Sequence, residues 1–596
     1  MQPFRWKDRR LSDICNVQSW HCMLALSHMS SGQEECILSP LDETSCQKYS
    51  DSSSLFNLCT HSIVNLSPAR FANSTMERRK SIFKKLKAQF YILIFFLLFL
   101  ALFPICFSIC VPIYLFRFIV TMARKVFRRD LGNLINTRSA VIATDNASDN
   151  PKWNLCVWIT LDGNLDFVQF RQTFLHDIVL ETNSKGELVN PEYQQYYAKW
   201  LGFLFWKWEK AFDIREHMKY YFENLKGGSY LEKVTTNKEL RQIIKGLTSE
   251  PFGHEKSPWE FLFIPNFREE DDHSAPAPTT ESNKSVLIFR VHHGFCDGYA
   301  ILWLLLKRLN KVGLERVAKP AKLPKGRGRT WRVLLNRIFS WLRAPYDFMT
   351  LMVESKDKNE WHLSQETLER PFNTAFTPRI PLKYIKEIKN GNNVSFTSVI
   401  MAALTASIRN SMIERGAKVP RKMTTAVAVP MPGHPDKLRN HFIFSFMSLP
   451  VGVSDPKKRL MKIEKNYKKL KQSSVNLFSF LMIPVFGGLF TWMIDWFSFN
   501  HFSTVLTSNF PGPAESMHFI AGGNNNKVLD INFSAGMGTG NVGVGFCMMS
   551  YAHGMRIIAS ADKNILPTDE AVEELNVKIE EELKVLRNLH CGNTTV

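Results

Sequence analysis

Two adjacent histidines, His292 and His293, close the run Val286-Leu-Ile-Phe-Arg-Val-His-His, and Gly294-Phe-Cys-Asp-Gly298 follows them. An imidazole with an unperturbed pKa near 6.5 is suited to taking and returning a proton at neutral pH. The residues before the pair are aliphatic or β-branched and predict a buried strand. Consecutive strand residues point to opposite faces, so the two rings cannot both address one small site. One histidine therefore faces a cleft as a neutral base, and the other faces the interior. The same geometry argues against a metal pair, as does the lack of a third ligand at chelating spacing, so no metal is expected. Asp297 lies four residues beyond His293. With glycines at 294 and 298 the segment reads as a tight turn, where a missing Cβ permits backbone angles that other residues resist, and Asp297 becomes a structural anchor aimed elsewhere.

The elements that must hold this strand end are readable along the chain. A hydrophobic helix is predicted from Tyr299 to about Leu309. Upstream, Trp153–Leu161 has strand composition, Asp162-Gly163 is a turn signal, and a helical pattern follows through Leu175. The aromatic segment Trp200–Phe222 predicts a core-facing or membrane-touching helix, and Arg268–Asn283 a polar loop with a solvated acidic face. Lys319–Arg343 carries eight basic residues and no acid. Its second part has the pattern of a basic amphipathic helix, lying on a membrane surface or packed as a crossover between domains. In the second half, Phe396–Met412 predicts a helix and Thr424–Val429 a strand. Val475–Phe499 is very apolar but interrupted by Pro484, Gly487, Gly488 and Asp495, which favours tunnel-lining or membrane-touching helices over a span. Strands are predicted at Ser503–Phe510, Val528–Phe533 and Val542–Ser550, and a last amphipathic helix at about Asp569–Leu589.

At 596 residues with 45% apolar composition, the chain has room for two or three domains with large cores. A net charge of +20 points to an anionic membrane face, a phosphate-bearing substrate or nucleic acid. No zinc-finger, RNP-like or P-loop spacing is present, so no nucleic-acid partner is expected. Five of the 11 cysteines (Cys15, Cys22, Cys36, Cys46, Cys59) lie in a Ser-rich N-terminal stretch without metal or disulfide spacing. Residues 1–76 read as a flexible tail. A basic cluster then precedes a charge-free run from Gln89 to Phe116, longer than the ~20 residues a membrane-spanning helix needs. Basic residues flank both sides, so the positive-inside rule casts no vote. Pro104 near the centre allows a kinked span, which is preferred, or a hairpin returning to the same face.

The pattern His-His-x-x-x-Asp-Gly resembles the HHxxxDG motif of the acyltransferase superfamily that includes chloramphenicol acetyltransferase, peptide-synthetase condensation domains and wax ester synthases. Further stretches, in order along residues 153–590, resemble the wax ester synthase/diacylglycerol acyltransferase family. Phe212-Asp213-Ile214 with His217 is similar to its "FDLxxHV" segment. Pro258-Trp259-Glu260 is similar to the end of its "PLDxxxPLWE" segment, and Ser508-Asn509-Phe510-Pro511-Gly512-Pro513 to its "SNVPGP" turn. Ser550-Tyr551, Gly554 and Asp562 match its "SYxGxxxxxxxxD" stretch. The chain departs from the family at Thr397-Ser398, where the family has "ND", and at Arg439-Asn440, where it has "GN".

The resemblance implies an α/β fold, two chloramphenicol-acetyltransferase-like domains with an active-site channel between them; the charge-free run places an N-terminal membrane helix before them. The corresponding boundaries are 1–76 tail, 77–130 membrane segment with basic flanks, 150–318 domain carrying the motif, 319–345 basic linker and 346–590 second domain. It also implies an acyl-CoA-dependent O-acyltransferase acting on a long-chain alcohol or diacylglycerol, with acyl-CoA as co-substrate and no bound cofactor. His293 corresponds to the base, with His292 and Asp297 beside it in the motif. Gly298, Asn509, Pro511 and Gly512 would contact substrate, with Asn509 or nearby backbone amides as candidate oxyanion donors. Asp297 pairs with an arginine in the superfamily, and Arg379 is the expected partner. The charge-free run and the scattered cysteines, which form no disulfide framework, set the expected location: a membrane, the endoplasmic reticulum with the catalytic part facing the cytosol, or else the plasma membrane or lipid droplets. Two other readings stay open: a catalytically weak lipid-binding or scaffold protein that keeps the fold, and a transferase using an amine or a carrier-bound acyl group.

Overall fold

The computed structural model describes residues 68–223, 233–269, 284–310, 331–435 and 437–591. Residues 1–67 of the expected tail, most of the acidic loop and the first part of the basic linker lie outside them. The chain divides into two units, residues 1–87 and 88–596. In the first unit the described structure is the opening of helix α1 (Pro68–Phe127), which continues into the second. The Gln89–Phe127 part of α1 contains an 18-residue stretch with a mean hydropathy of 2.9, and no residue of that stretch is buried. It contains Pro104 and Pro112 yet runs as one helix, so the hairpin alternative is not formed. The Ser108 hydroxyl donates back to the Pro104 carbonyl at 2.7 Å, as serines do beside prolines in apolar helices.

Beyond α1 comes a short helix, α2 (Thr137–Ala143), capped by the Asn136 side chain. Strand β1 (Asn154–Leu161) is buried at every position, as its continuous apolar run predicts. The aromatic segment from Trp200 is not a helix. It is the second arm of a hairpin, β2 (Gln195–Trp200) and β3 (Phe203–Trp208), turned at Leu201 and Gly202 with φ of 46° and 84°. The positive φ pair makes the tight turn that matches strand twist, and aromatic residues favour the half-buried pleated surface. Strands β4 (Trp259–Arg268) and β5 (Lys284–His292) pair antiparallel, and β1 pairs on the other side of β5, with Asn154 opposite His292. Every residue of β5 after Lys284 is buried. Full burial stabilises each large side chain by about 1.5–3 kcal/mol, which holds the strand's register and therefore the position of its end. Helix α3 (Gly298–Leu302) follows and widens into a wider-wound turn over Trp303–Arg308, close to the predicted span.

The long helix α4 (Trp331–Ser355) leads to the second half. Helix α5 (Phe396–Glu414) is apolar enough to cross a membrane, but 72% of its apolar window is buried and it serves as a core helix. Next come β6 (Met423–Pro430), β7 (Phe442–Leu449) and two short helices, α6 (Ser474–Phe486) and α7 (Thr491–Ser498), where interrupted apolar helices are predicted. The remaining elements are β8 (Val505–Pro511), β9 (Asn526–Ala535), β10 (Val544–Tyr551), β11 (Gly554–Ala561) and α8 (Asp569–Cys591).

Among the described residues the result is a mixed α/β architecture with two seven-stranded sheets and a three-stranded one. The second sheet has the central order β11-β10-β8-β6-β7, parallel from β10 through β6, with α5 and α8 in its core. The first has the central order β9-β1-β5-β4, so β9 crosses from the second half of the sequence to complete it. A buried cluster joins the sheets: Trp158 stacks on Phe376 at 5.2 Å, with Cys156, Cys547 and Ile558 around them. These cysteines are free thiols, and among the described residues there is no disulfide.

Candidate active site

Strand β5 delivers His292 as its last residue and His293 one step beyond. The His293 amide donates to the carbonyl of Trp153, the residue before β1, at 2.7 Å, which ties the pair to the sheet. The two rings then part, as strand alternation requires.

His292 points into the protein and is wholly buried. Its Nδ1 accepts from the Gly294 amide at 3.2 Å, so Nε2 carries the proton and donates to Asp145 Oδ2 at 3.2 Å. Asp145 also accepts from the amides of Lys152 and Trp153. Both ring nitrogens are satisfied, and the ring is a structural pin.

His293 takes the opposite tautomer. Its Nδ1 lies 3.0 Å from Asn440 Oδ1, while Asn440 Nδ2 donates to the His293 carbonyl at 2.7 Å and to Ser139 Oγ at 3.1 Å. A carbonyl only accepts, so the amide nitrogen must face it and the amide oxygen must face the ring. Nδ1 is therefore the protonated nitrogen, and Nε2 keeps its lone pair. Among the described residues nothing hydrogen-bonds to Nε2. The ring is half-buried, set between Trp153 (5.9 Å, edge-on) and Phe442 (5.0 Å), with Phe444 behind both. Burial pushes its pKa below the usual histidine value, with partial opposition from Asp297 and the Asn440 bond. A neutral imidazole with one free nitrogen, in apolar surroundings, is what a general base requires.

Asp297 caps α3 through the Ala300 amide at 2.9 Å. Its other contacts come from the loop between β6 and β7: the His441 amide donates to Oδ2 at 2.7 Å, and His434 Nε2 lies 3.2 Å from Oδ1. Asp297 is thus an anchor, as its spacing suggested, but Arg379 is not its partner. The Arg379 guanidinium donates to the carbonyls of Tyr551 and Leu529 instead, seated over Gly554, where a Cβ would come within 2.3 Å of it. The loop 431–441 thereby holds both sides of the motif, Asn440 on His293 and His441 on Asp297. In the sequence only the Arg439-Asn440 departure drew attention to it; His434 in a Pro-Gly-His-Pro run and His441 beside Asn440, both between strands, were the further signal.

The glycines act by close approach rather than by unusual angles, and neither has a positive φ. A Cβ on Gly294 would lie 2.8 Å from the backbone of Ala143 in α2, and one on Gly298 would lie 3.2 Å from Phe510. Gly298 thus lets the end of β8 meet the motif. Alternation then turns Asn509 the other way, where its amide donates to Thr397 Oγ1 at 3.4 Å. Among the described residues no hydrogen bond joins Asn509 to His293. Pro511 ends β8, and the Gly512 amide donates to Ser550 Oγ, with no room for a Cβ against the Ser550 carbonyl.

The other motif-like stretches are framework. His217 is buried between Glu209 and the Trp259 carbonyl and stacks on Trp259 at 4.7 Å. Glu260 pairs with Arg290 of β5, and Tyr551 Oη bridges the Met517 amide and the Val528 carbonyl. A cavity of about 420 Å³ is lined by Arg379, Ser516, Lys527, Tyr551 and His553, and neither histidine of the motif borders it. No group of three or more metal-ligating side chains occurs among the described residues.

Residues 438–587 match the family described as the WS/DGAT C-terminal domain. Among solved structures, the chain is similar to the wax ester synthase/diacylglycerol acyltransferase of Marinobacter aquaeolei VT8, at 15% identity and a TM-score of 0.48, covering 76% of this chain and 100% of that one. It is also similar to the trichothecene 15-O-acetyltransferase of Fusarium sporotrichioides, at 9% identity and a TM-score of 0.46, covering 75% of this chain and 95% of that one. A third is the first condensation domain of the calcium-dependent antibiotic synthetase, at 9% identity and a TM-score of 0.48, covering 77% and 97%. No curated protein sequence matches the chain.

Proposed function

We propose, from the match of residues 438–587 to the WS/DGAT C-terminal domain, that the protein is a membrane-bound, acyl-CoA-dependent O-acyltransferase. The acceptor is a long-chain alcohol or diacylglycerol, and the product a wax ester or triacylglycerol. The observation that carries this reading is the Asn440–His293 contact, which leaves Nε2 as the lone-pair nitrogen of a half-buried ring.

In this reaction His293 Nε2 removes the hydroxyl proton as the acceptor oxygen attacks the thioester carbonyl. The tetrahedral intermediate then expels the CoA thiolate, which takes the proton back from the imidazolium. Asn440 stabilises that cation, since its amide oxygen accepts from Nδ1–H throughout. The oxyanion is left to a donor other than Asn509, whose amide is engaged with Thr397. Trp153, Phe442 and Phe444 supply apolar walls suited to acyl chains. The donor's phosphates are drawn by the net charge of +20. Helix α1 tethers the enzyme where both lipid substrates concentrate, and we place it in the endoplasmic reticulum membrane with the catalytic part on the cytosolic side.

The test is to supply membranes containing the full chain with labelled palmitoyl-CoA plus hexadecanol or diacylglycerol, and to compare the His293→Ala variant. Ester formation that disappears at equal expression supports the proposal. Equal ester formation by the variant overturns it, and a biological effect that survives the substitution assigns the protein a lipid-binding or scaffold role.

A further inference from the structure

Three helices beside α1 leave large apolar side chains in the open. On α7, Trp492 and Trp496 are 66% and 71% exposed, and Phe497 stands beside them. On α6, Leu477 and Leu481 are exposed, and on α4 so are Phe339, Trp341 and Val353. No charge occurs in the sequence from Ser473 to Ile494. Soluble proteins rarely expose apolar surface this dense without a partner for it.

The patch is joined to α1. Tyr114 of α1 donates to the carbonyls of Pro484 and Val485 at the end of α6, and its hydroxyl occupies the space a Cβ on Gly488 would need. Phe99 of α1 meets Phe478 of α6 edge-on, Phe95 meets Tyr346 of α4, and Phe116 packs on Phe490 just before α7. A long helix whose most apolar stretch contains no buried residue is therefore fastened to the patch along its own length. If lipid covers α1, it also reaches what α1 is fastened to. Tryptophan is the residue that settles at the boundary between acyl chains and headgroups.

The inner face of α6 belongs to the candidate site. Phe480 packs edge-on against His441 at 4.8 Å, and the Arg138 guanidinium sits over its ring at 4.2 Å. His441 is the residue whose amide holds Asp297.

We propose that the outer face of α6 and α7 sinks into the bilayer beside α1, so that a single helix separates the lipid phase from the loop that clasps the HHxxxDG motif. The occupant is the acyl region of one leaflet, and the lipid acceptor approaches the site past α6 rather than through water. This rests on the membrane reading of α1 given above.

The experiment reconstitutes the full chain in phosphatidylcholine vesicles carrying a photoactivatable diazirine on the acyl chain and maps the adducts by mass spectrometry. Adducts on α1 and also on Leu477, Leu481, Trp492 or Trp496 are expected. Adducts on α1 alone overturn the inference and leave the membrane reading intact. Adducts on neither overturn both. A Trp492→Ser/Trp496→Ser variant adds a kinetic readout. Its KM for hexadecanol held in the bilayer should rise several-fold, with the KM for palmitoyl-CoA unchanged. An unchanged hexadecanol KM, or a dimer that this variant dissociates in place of any lipid contact, overturns the inference.

Discussion

His292 and His293 are adjacent in sequence and identical in type, yet their surroundings give them opposite tautomers, and the roles proposed for them differ accordingly. Around His292 everything comes from the first half of the chain: Asp145, the Gly294 amide and Tyr197 close on the ring and use both nitrogens. Around His293 the decisive partner, Asn440, comes from a loop of the second half and uses only one nitrogen. A base must keep a lone pair unspent, so what singles out His293 for the proposed role is an incomplete set of partners rather than the identity of the residue.

The sharpest way to break the comparison is to remove each ring in turn. His293→Ala should lower ester formation by about 10²–10⁴-fold, the usual contribution of a positioned base, with expression unchanged. His292→Ala should act mainly on stability. It leaves the Asp145 carboxylate buried without its side-chain partner and should cost about 2–3 kcal/mol, read as a lower midpoint in a thermal scan. If the two variants behave alike in both measurements, the division of roles is wrong.

Asn440 tests what holds His293 in its state. Loss of one hydrogen bond to a ring that becomes cationic, worth about 1–3 kcal/mol, should reduce kcat by about 5–150-fold in Asn440→Ala. The pH profile adds a direction. Burial depresses the His293 pKa, so the neutral, active form should persist below pH ~6.5 and activity should fall only at more acid pH. Asn440→Asp sets a carboxylate against Nδ1, favours the imidazolium and should move that acid limb to higher pH. An acid limb that stays in place would separate Asn440 from the ring's titration. The smallest effect is expected at Asn509. If its amide only serves Thr397, Asn509→Ala should cost about 0.5–1 kcal/mol, a two- to fivefold change in rate. A drop of about 10²–10³-fold would make it the oxyanion donor after all.

Local pattern determined a good deal here. The buried strand β5, the divergence of the two histidines, Asp297 as an anchor, the core helix α5 and the apolar course of α1 all follow from side-chain periodicity and from residues within a few positions of one another. It misread Trp200–Phe222, because dense aromatics suit a helix or a strand alike and the Leu201-Gly202 turn that decides between them is a two-residue signal. Tertiary structure alone decided the rest. Asp145 and Asn440 each lie 147 residues from the histidine they hold, and no periodicity spans such a distance. The same is true of β9, which leaves the second half of the chain to pair with β1. A sequence specifies which groups are able to move a proton; which nitrogen carries it is set by hydrogen bonds that exist only once distant segments meet.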